Sequence, residues 1–193
     1  MDYMKKTILG NKSSIHPYPV TILGANINAK PNFMTLAFVG IVNANPGMVA
    51  IGCGKRHYTN AGIKENMTFS INIPSADMIK IVDYIGCVTG NKEDKSGLFK
   101  VFYGKLGTAP MIEECPLCLE CKVLKILDLG GFDDVIIGEI IESYCEEKCL
   151  TNDMLDIEKL KPFLMSMYEN KYFAIGDYLG KTWKIGLDYK QKK

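Results

Sequence analysis

The chain has 193 residues, of which 47% are hydrophobic and 23% charged, and its formal net charge is +1. This length favours a single domain over residues 1–193, with a core over about residues 8–150 and a C-terminal helix and arm over about residues 151–193. The near-neutral charge gives no basic field, so nucleic acid is excluded as an expected partner, and no apolar run reaches the roughly 18–20 residues of a membrane span.

Short strands separated by turns dominate the first half of the chain. Four segments predict strands because they are apolar and rich in β-branched residues, or because they alternate between apolar and polar residues. These are residues 19–25, 33–42, 48–53 and 68–73. Turn residues separate the first three segments at 27–31 and 43–47.

Two short helices are predicted between these strands and the second half. Residues 60–65 form the first, with Thr59 or Asn60 as its N-terminal cap. Residues 74–83 form the second, with Ser75 as its cap.

The second half begins with a polar, glycine-rich loop over residues 86–97. Residues 117–129 and 135–144 then predict two long strands, joined by a hairpin turn at 130–134. This succession of strands with only short helices predicts a mainly β fold, an antiparallel barrel rather than a doubly wound sheet.

The C-terminal part is the least strand-like. Residues 156–168 have helical spacing that Pro162 interrupts. Residues 172–186 carry a glycine or an aromatic residue every few positions, and we expect an extended arm that packs on the barrel or on a partner subunit.

A polar loop at residues 54–59 (GKRHYT) leaves a predicted strand and enters a predicted helix. Lys55, Arg56 and Thr59, with the free amides of the helix start, form a pattern that binds anions, although a solvated turn has the same composition. His57 is the candidate catalytic side chain in this loop, against a purely structural role.

The strand segment that begins near Asn32 favours a planar ligand. Asn32 and Thr35 lie beside small and apolar residues, as a flat aromatic ligand with a phosphate tail would require. The backbone of Met34, Thr35, Leu36 and Ala37, together with that of Cys53 and Gly54, would line its ring system.

Several segments of the chain match a known family in the family's own order. They are residues 16–20 (HPYPV), 32–35 (NFMT), 56–59 (RHYT) with Ile63, 69–74 (FSINIP), 83–86 (DYIG), 90–95, Glu120-Cys121 and Gly138-Glu139. On these segments the chain resembles the flavin reductase-like, or flavoredoxin, family of FMN-binding split β-barrels, over roughly residues 8–186.

The resemblance implies a split antiparallel β-barrel and an FMN cofactor. It assigns FMN binding to Asn32, Thr35, Arg56 and Thr59. The loop at residues 90–95 resembles the family's SG…DK segment, with Thr89 in place of the serine. Lys92 and Lys95 would reach the phosphate or a nicotinamide nucleotide; the alternative for this loop is a solvated surface turn.

Four aromatic residues are candidates for covering a flavin or shaping a substrate pocket, against the more usual role in a core or an interface. They are Tyr58, Tyr168, Tyr172 and Trp183. The spacing of aromatic residues and glycines in the arm makes Tyr172 and Trp183 the better candidates.

The pattern of the seven cysteines allows two interpretations. Cys115, Cys118 and Cys121 have spacings found in zinc and iron–sulfur sites, but alternation along a strand would send Cys118 and Cys121 to opposite faces, and we expect no metal site. Cys53 lies at the end of the strand that faces the predicted ring, where a small residue would let a cofactor come close.

The compartment is predicted from the N-terminus and the cysteines. Residues 1–14 hold no apolar segment long enough for a signal peptide. An odd number of cysteines in a chain without a leader favours free thiols in a reducing cytosol over a disulfide framework. We therefore expect a cytoplasmic protein.

The resemblance implies a homodimer and a redox function. The expected activity is NAD(P)H-dependent reduction of flavin or another acceptor, in which the flavin carries the redox chemistry. The alternative is a flavoredoxin-type electron carrier, reduced by a redox protein and turning over no small molecule itself.

Overall fold

The computed structural model describes residues 6–12, 15–187 and 189. Strands make up most of the regular structure in these residues. In chain order they are β1 (Tyr18–Pro19), β2 (Thr21–Ile27), β3 (Lys30–Leu36), β4 (Val39–Ala44), β5 (Gly47–Gly54), β6 (Thr68–Ile73), β7 (Val101–Phe102), β8 (Met111–Ile112), β9 (Leu117–Asp128), β10 (Asp133–Cys145), β11 (Leu150–Thr151), β12 (Met154–Leu155), β13 (Phe163–Ser166) and β14 (Lys171–Ala174).

The helices are short. They are α1 (Tyr58–Asn66), α2 (Ile79–Cys87) and α3 (Ile157–Leu160), with single 3₁₀ turns at Ala76–Met78 and Glu147–Cys149. In the described ranges no helix combines the length and the apolar character needed to cross a membrane.

One sheet of seven antiparallel strands forms the body of the molecule, in the order β3-β2-β6-β9-β10-β5-β4. Its two edge strands, β3 and β4, are consecutive in the chain and are joined only by Ala37 and Phe38. The sheet must therefore curl until its two edges meet at this corner. The prediction of a mainly β, split antiparallel fold is confirmed, and the hydrogen-bonded ring is open between β3 and β4.

The corner itself corrects one predicted element, because residues 33–42 do not form a continuous strand. The chain turns at Ala37, whose carbonyl accepts a hydrogen bond from the amide of Val39 at 3.1 Å. The carbonyl of Phe38 then accepts from the amide of Gly52 at 2.9 Å, which starts the pairing of β4 with β5.

Two apolar clusters fill the two faces of the sheet. Strand β2 is buried along its whole length because it contributes to both: Leu23 belongs to the cluster inside the curled sheet and Ile22 to the cluster outside it. This division follows from the alternation of side chains along a strand. The outer cluster lies under α2. Val82 and Ile85 of this helix are buried in that cluster.

The helix starts differ from the predicted caps. The N-cap of α1 is His57, which makes no capping hydrogen bond with its side chain, so Thr59 and Asn60 are helical residues and not caps. In the second predicted helix, Ser75 precedes the 3₁₀ turn without a side-chain hydrogen bond, and α2 begins only at Ile79.

The predicted helical spacing of residues 156–168 was wrong for its second half. Helix α3 ends at Leu160, and the next residue, Lys161, adopts a left-handed conformation directly before Pro162. Proline disfavours helical geometry in the residue that precedes it and removes a helical hydrogen bond. The chain therefore continues as β13, which pairs with β1 and with β14.

Candidate functional site

Three neighbouring clefts open where β3, the start of α1, the end of α2 and the loop after α2 come together. The central cleft has a volume of about 140 Å³, the lysine cleft about 460 Å³ and the hairpin cleft about 320 Å³. Tyr58, Gly90 and Lys95 line both the central and the lysine cleft, and His57 lines both the central and the hairpin cleft. The three clefts thus form one continuous region around the start of α1.

Most of the cofactor residues predicted from the sequence line these clefts. In the central cleft are Met34, Thr35, His57, Thr59 and Lys95; in the lysine cleft Asn32, Lys92 and Lys95; in the hairpin cleft Gly54, Lys55, Arg56 and His57. Residues far apart in sequence therefore lie around one region of the structure.

Four predicted cofactor residues do not line these clefts. Leu36 and Cys53 point into the apolar cluster inside the curled sheet. Ala37 forms the corner between β3 and β4. Trp183 lies in the C-terminal arm, and the residue is 92% exposed. Within one chain, the part of the aromatic arm that the structure describes lines none of the three clefts.

A hydrogen bond between Asn32 and Thr59 joins β3 to α1. The Asn32 amide nitrogen donates to the Thr59 hydroxyl oxygen at 2.7 Å, and both residues are buried. Thr59 thereby retains its own hydroxyl hydrogen for a further acceptor. The hydroxyl of Thr35, by contrast, donates to the carbonyl of Val82 in α2 and is not free for a ligand.

The two cations of the loop at residues 54–59 have different roles. The ammonium of Lys55 lies 2.5 Å from Asp128 Oδ1, and its hydrogen bond holds the pKa of Asp128 below the usual range. Arg56 is exposed and, among the residues that the structure describes, has neither an ion pair nor a hydrogen bond. Of the two, only Arg56 offers an uncompensated charge to an external anion.

Two glycines allow the close contacts of this loop. A Cβ atom on Gly54 would lie 2.9 Å from the imidazole of His57, so the ring packs directly over the backbone of residue 54. A Cβ atom on Gly90 would lie 2.4 Å from Asn32 Oδ1 and equally close to the Tyr58 ring. Larger residues at these positions would displace the side chains that line the clefts.

Lys95 occupies an unexpected position for a residue of a polar loop. Only 3% of it is exposed, and its ammonium donates to the carbonyls of Ile85 at 2.9 Å and Val88 at 2.8 Å. Positive charge at the C-terminus of a helix is favourable because it faces unpaired carbonyls. Burial lowers the pKa of this ammonium. Lys95 thus fixes the loop to the end of α2.

Sequence reasoning missed the buried polar residues that hold the site in place. The Asn60 amide donates to the carbonyl of Cys53 at 3.0 Å and to Asp134 Oδ2 at 3.0 Å, while Lys64 pairs with the same Asp134 oxygen at 2.6 Å. These contacts tie α1 to the ends of β5 and β10. The sequence did contain one signal for these contacts, because the polar residue Asn60 lies at the start of a predicted helix.

Cys87 is a second residue that the sequence did not single out. It is exposed at the end of α2 and lines the central cleft. Cys118 and Cys121, in contrast, are buried in the outer and the inner apolar cluster respectively, as alternation along β9 requires. In the described part of the chain no group of three or more metal-ligating side chains is arranged to hold a metal ion.

The curled antiparallel sheet with a split between its edge strands defines the chain as a split-barrel protein. Residues 13–173 match the sequence model of the Flavin reductase like domain. The chain therefore belongs to the flavin reductase-like family, and the predicted family assignment is confirmed.

Solved structures agree with this assignment. The flavoredoxin of Methanosarcina acetivorans is 49% identical, with a TM-score of 0.92 over 95% of this chain and 98% of that one. The flavoredoxin of Desulfovibrio vulgaris (Miyazaki F) is 31% identical, with a TM-score of 0.87 over 94% of this chain and 100% of that one. An FMN-binding protein from Thermus thermophilus is 19% identical with a TM-score of 0.76, covers 94% of this chain and 99% of that one, and shares the fold.

Proposed function

We propose that the chain is a flavoprotein that binds FMN across the central and the hairpin cleft and catalyses NAD(P)H-dependent reduction of flavin or another acceptor. The observation that carries this proposal is the uncompensated guanidinium of Arg56 just before the start of α1, the helix whose first turn carries the Thr59 hydroxyl. A phosphate needs a cation and several donors at one point, and this arrangement offers both.

The residues present fit a flavin phosphate and a planar ring. Arg56, the first amides of α1 and the Thr59 hydroxyl would hold the phosphate. The polar edge of β3, from Asn32 to Thr35, would lie along the ring. Bound FMN supplies the electron-accepting ring that the side chains of this site lack.

His57 is the candidate for protonation steps. Its imidazole is exposed, is held over Gly54 and lines both the central and the hairpin cleft. A histidine in that position can donate a hydrogen bond to a ring or to a substrate. Its test is a lower turnover number in His57→Gln at unchanged FMN affinity.

A carrier role is the second candidate function. The two structures with high identity are both named flavoredoxins, whereas a curated relative named NADPH-flavin oxidoreductase, from Streptomyces viridifaciens, is 20% identical over 132 residues. In this role the electrons would come from a redox protein and pass to another one.

A homodimer is also part of the proposal. The arm after β14 leaves a series of large apolar side chains in water, which is unusual for a monomer. They are Tyr178, Leu179, Trp183, Ile185, Leu187 and Tyr189. A second copy would bury them, and Trp183 of each arm would then cover the central cleft of the partner. We place the dimer in the cytoplasm.

The deciding experiment is the visible spectrum of the purified protein, followed by mass spectrometry of the ligand released by heat. Flavin bands and the mass of FMN support the proposal. Bleaching of bound FMN by NADH or NADPH without oxygen then supports the enzyme, and bleaching by dithionite alone supports the carrier. A colourless protein that takes up no added FMN would overturn both.

A further inference from the structure

The turn between β9 and β10 holds an aromatic ring in water beside the proposed phosphate site. Phe132 is 94% exposed and, together with Gly131, lines the hairpin cleft. Residues 54–57 line the rest of this cleft, and they include Arg56. A single exposed apolar residue is common on protein surfaces, so the position of Phe132 matters more than its exposure. The binding of FMN by Arg56 and Thr59 leaves this ring without a role.

Hydrogen bonds fix the backbone of this turn next to the loop that carries Arg56. Asp128 Oδ1 accepts from the amide of Gly130 at 2.8 Å and from the ammonium of Lys55 at 2.5 Å. The amide of Lys55 also donates to the carbonyl of Phe132 at 3.0 Å. The backbone of Phe132 is therefore bonded directly to the residue before Arg56, and its place beside the guanidinium does not depend on a ligand.

The side chain of Phe132 is free to turn, in contrast to its backbone. Little packs against a ring that is exposed to this extent, and exposed side chains change rotamer within picoseconds to nanoseconds. A Cβ atom added to the neighbouring Gly131 would meet no heavy atom within 4 Å beyond its chain neighbours, so the space beside the ring is open. Rotation about the Cα–Cβ bond can therefore move the ring over the cleft without moving the turn.

A ring over the cleft would act on a phosphate through Arg56. A phosphate held by a guanidinium in an open cleft keeps its contact with water, whose high dielectric constant weakens the ion pair. Apolar carbon in place of that water strengthens the charge-assisted hydrogen bonds between the two groups. The ring also occupies the space into which a group attached to the phosphate would extend. Its effect thus depends on whether the ligand has a phosphate and whether the ligand ends there.

We propose that the ring of Phe132 closes over the phosphate held by Arg56 and thereby selects FMN over FAD. The chain of FMN ends at this phosphate, whereas that of FAD continues with a second phosphate and adenosine, which would displace the ring. This rests on the proposed binding of a flavin and assigns its specificity to a residue of the β9–β10 turn.

The test compares Phe132→Ala with the matched control Leu129→Ala. Leu129 lies in the same turn, is 74% exposed and lines none of the three clefts. Riboflavin, which has no phosphate, FMN and FAD are each titrated into the flavin-free full chain, and binding is followed by flavin fluorescence. Circular dichroism and Tm establish that each variant is folded, and light scattering gives its mass.

We expect the dissociation constant of FMN to rise about three- to tenfold in Phe132→Ala, the change that one hydrogen bond typically contributes. The dissociation constant of riboflavin should stay unchanged, and that of FAD should stay unchanged or fall. In an Arg56→Ala background, Phe132→Ala should no longer affect FMN, because the ring acts through the ion pair. Leu129→Ala should change none of these values.

Four outcomes would overturn the proposal. Unchanged FMN affinity in Phe132→Ala shows that the ring does not cover the phosphate. Equal losses for riboflavin and FMN show that it acts on the flavin ring or on the fold. A larger loss for FAD than for FMN shows that the ring binds the adenine instead. A lower mass of Phe132→Ala shows that a second copy of the chain buries the ring. Failure of the proposed function is distinct from these, because the unaltered protein would then bind none of the three flavins.

Discussion

The ammonium of Lys55 lies 2.5 Å from Oδ1 of Asp128, and the backbone amide of Lys55 donates to the carbonyl of Phe132 at 3.0 Å. Both ends of this lysine therefore hold the turn between β9 and β10 against the loop at residues 54–59. Lys55 and Arg56 are adjacent in sequence, but one stabilises the protein's own hairpin and the other faces solvent.

This division predicts unequal effects of two substitutions on FMN binding. Arg56→Ala removes a charge-assisted phosphate contact and should weaken FMN binding by about 1.5–3 kcal/mol, on the order of tenfold to a hundredfold. Lys55→Met should weaken FMN binding only a few-fold, because it changes the position of the loop and removes no phosphate contact. Titration of each variant with FMN, followed by flavin fluorescence, gives both values. Equal losses would mean that Lys55 binds the phosphate as well.

The sequence predicted the loop but not this division of roles. Charge and turn chemistry at residues 54–59 are local, and they identified the anion-binding pattern. The partner of Lys55 is Asp128, which only the pairing of β5 with β10 and of β10 with β9 brings near. The same limit applies to Lys95, because its contacts with Ile85 and Val88 depend on how the loop folds back on α2.

The strands were predicted where alternation or β-branched runs are strong, as in β2, β5, β6, β9 and β10. The break between β3 and β4 was missed because Ala37 and Phe38 are not turn-forming residues. It arises from the need of β4 to pair with β5, a tertiary constraint that no local pattern carries. Strand β13 was missed because the apolar residues on both sides of Pro162 were assigned to one helical pattern over residues 156–168.

Cysteine reactivity provides a prediction for the central cleft. Cys87 is exposed, whereas Cys53, Cys115, Cys118, Cys121 and Cys149 are buried and Cys145 is partly buried. Burial raises the pKa of Cys53 to about 12 and of Cys118 to about 12, so almost no thiolate is present there at neutral pH.

We therefore expect Ellman's reagent to label Cys87 rapidly in the folded protein and the buried thiols only after denaturation. Because Cys87 lines the central cleft, saturating FMN should slow its labelling. The variant Cys87→Ser identifies the fast phase. A fast phase that FMN leaves unchanged would place the flavin elsewhere.

Stability should fall at alkaline pH. The pKa values of Cys53, Cys118 and Tyr172 are each raised to about 12, chiefly by burial. These groups lose their protons at lower pH in the unfolded chain than in the folded protein. The unfolded state then binds fewer protons, so the free energy of unfolding decreases as pH rises from about 9 towards 12.

Urea unfolding at a series of pH values measures this decrease. Tyr172 donates to Asp83 Oδ1 at 2.8 Å, and Tyr172→Phe should remove the part of the decrease that begins near pH 10, the usual pKa of a tyrosine. A curve that stays flat from pH 8 to 11 would show that these groups titrate equally in both states.

Glu120 should be required for folding and not for binding. This buried carboxylate accepts from the amides of Lys105 at 2.8 Å and Leu106 at 2.9 Å and from the hydroxyl of Tyr144 at 2.8 Å. Glu120→Ala leaves these donors without a partner, so the free energy of unfolding should fall by at least about 1–3 kcal/mol.

Glu120→Gln retains one carbonyl acceptor and should lose less, and Tyr144→Phe should lose about 0.5–1.5 kcal/mol. Chemical denaturation gives these values, and FMN titration of the folded variants is the control. Glu120 lines none of the three clefts, so a reduced affinity for FMN in stable Glu120→Gln would contradict a purely structural role.

The arm after β14 predicts that FMN binding depends on a second copy of the chain. Trp183 is 92% exposed and Leu179 89% exposed, yet both are large apolar residues in a segment that follows an ordered strand. If the arms bury each other's apolar side chains, Leu179→Asp places a charge in that interface and should dissociate the dimer, whereas Leu179→Met should not.

Light scattering during gel filtration measures the mass, which we expect to be twice 21.5 kDa for the unaltered chain and 21.5 kDa for Leu179→Asp. FMN affinity should fall together with the mass, because Trp183 of the second copy would no longer cover the cleft. Trp183→Ala should keep the dimer and lose part of the affinity. A monomeric Leu179→Asp variant with full FMN affinity would show that one chain suffices and that Trp183 has no part in the site.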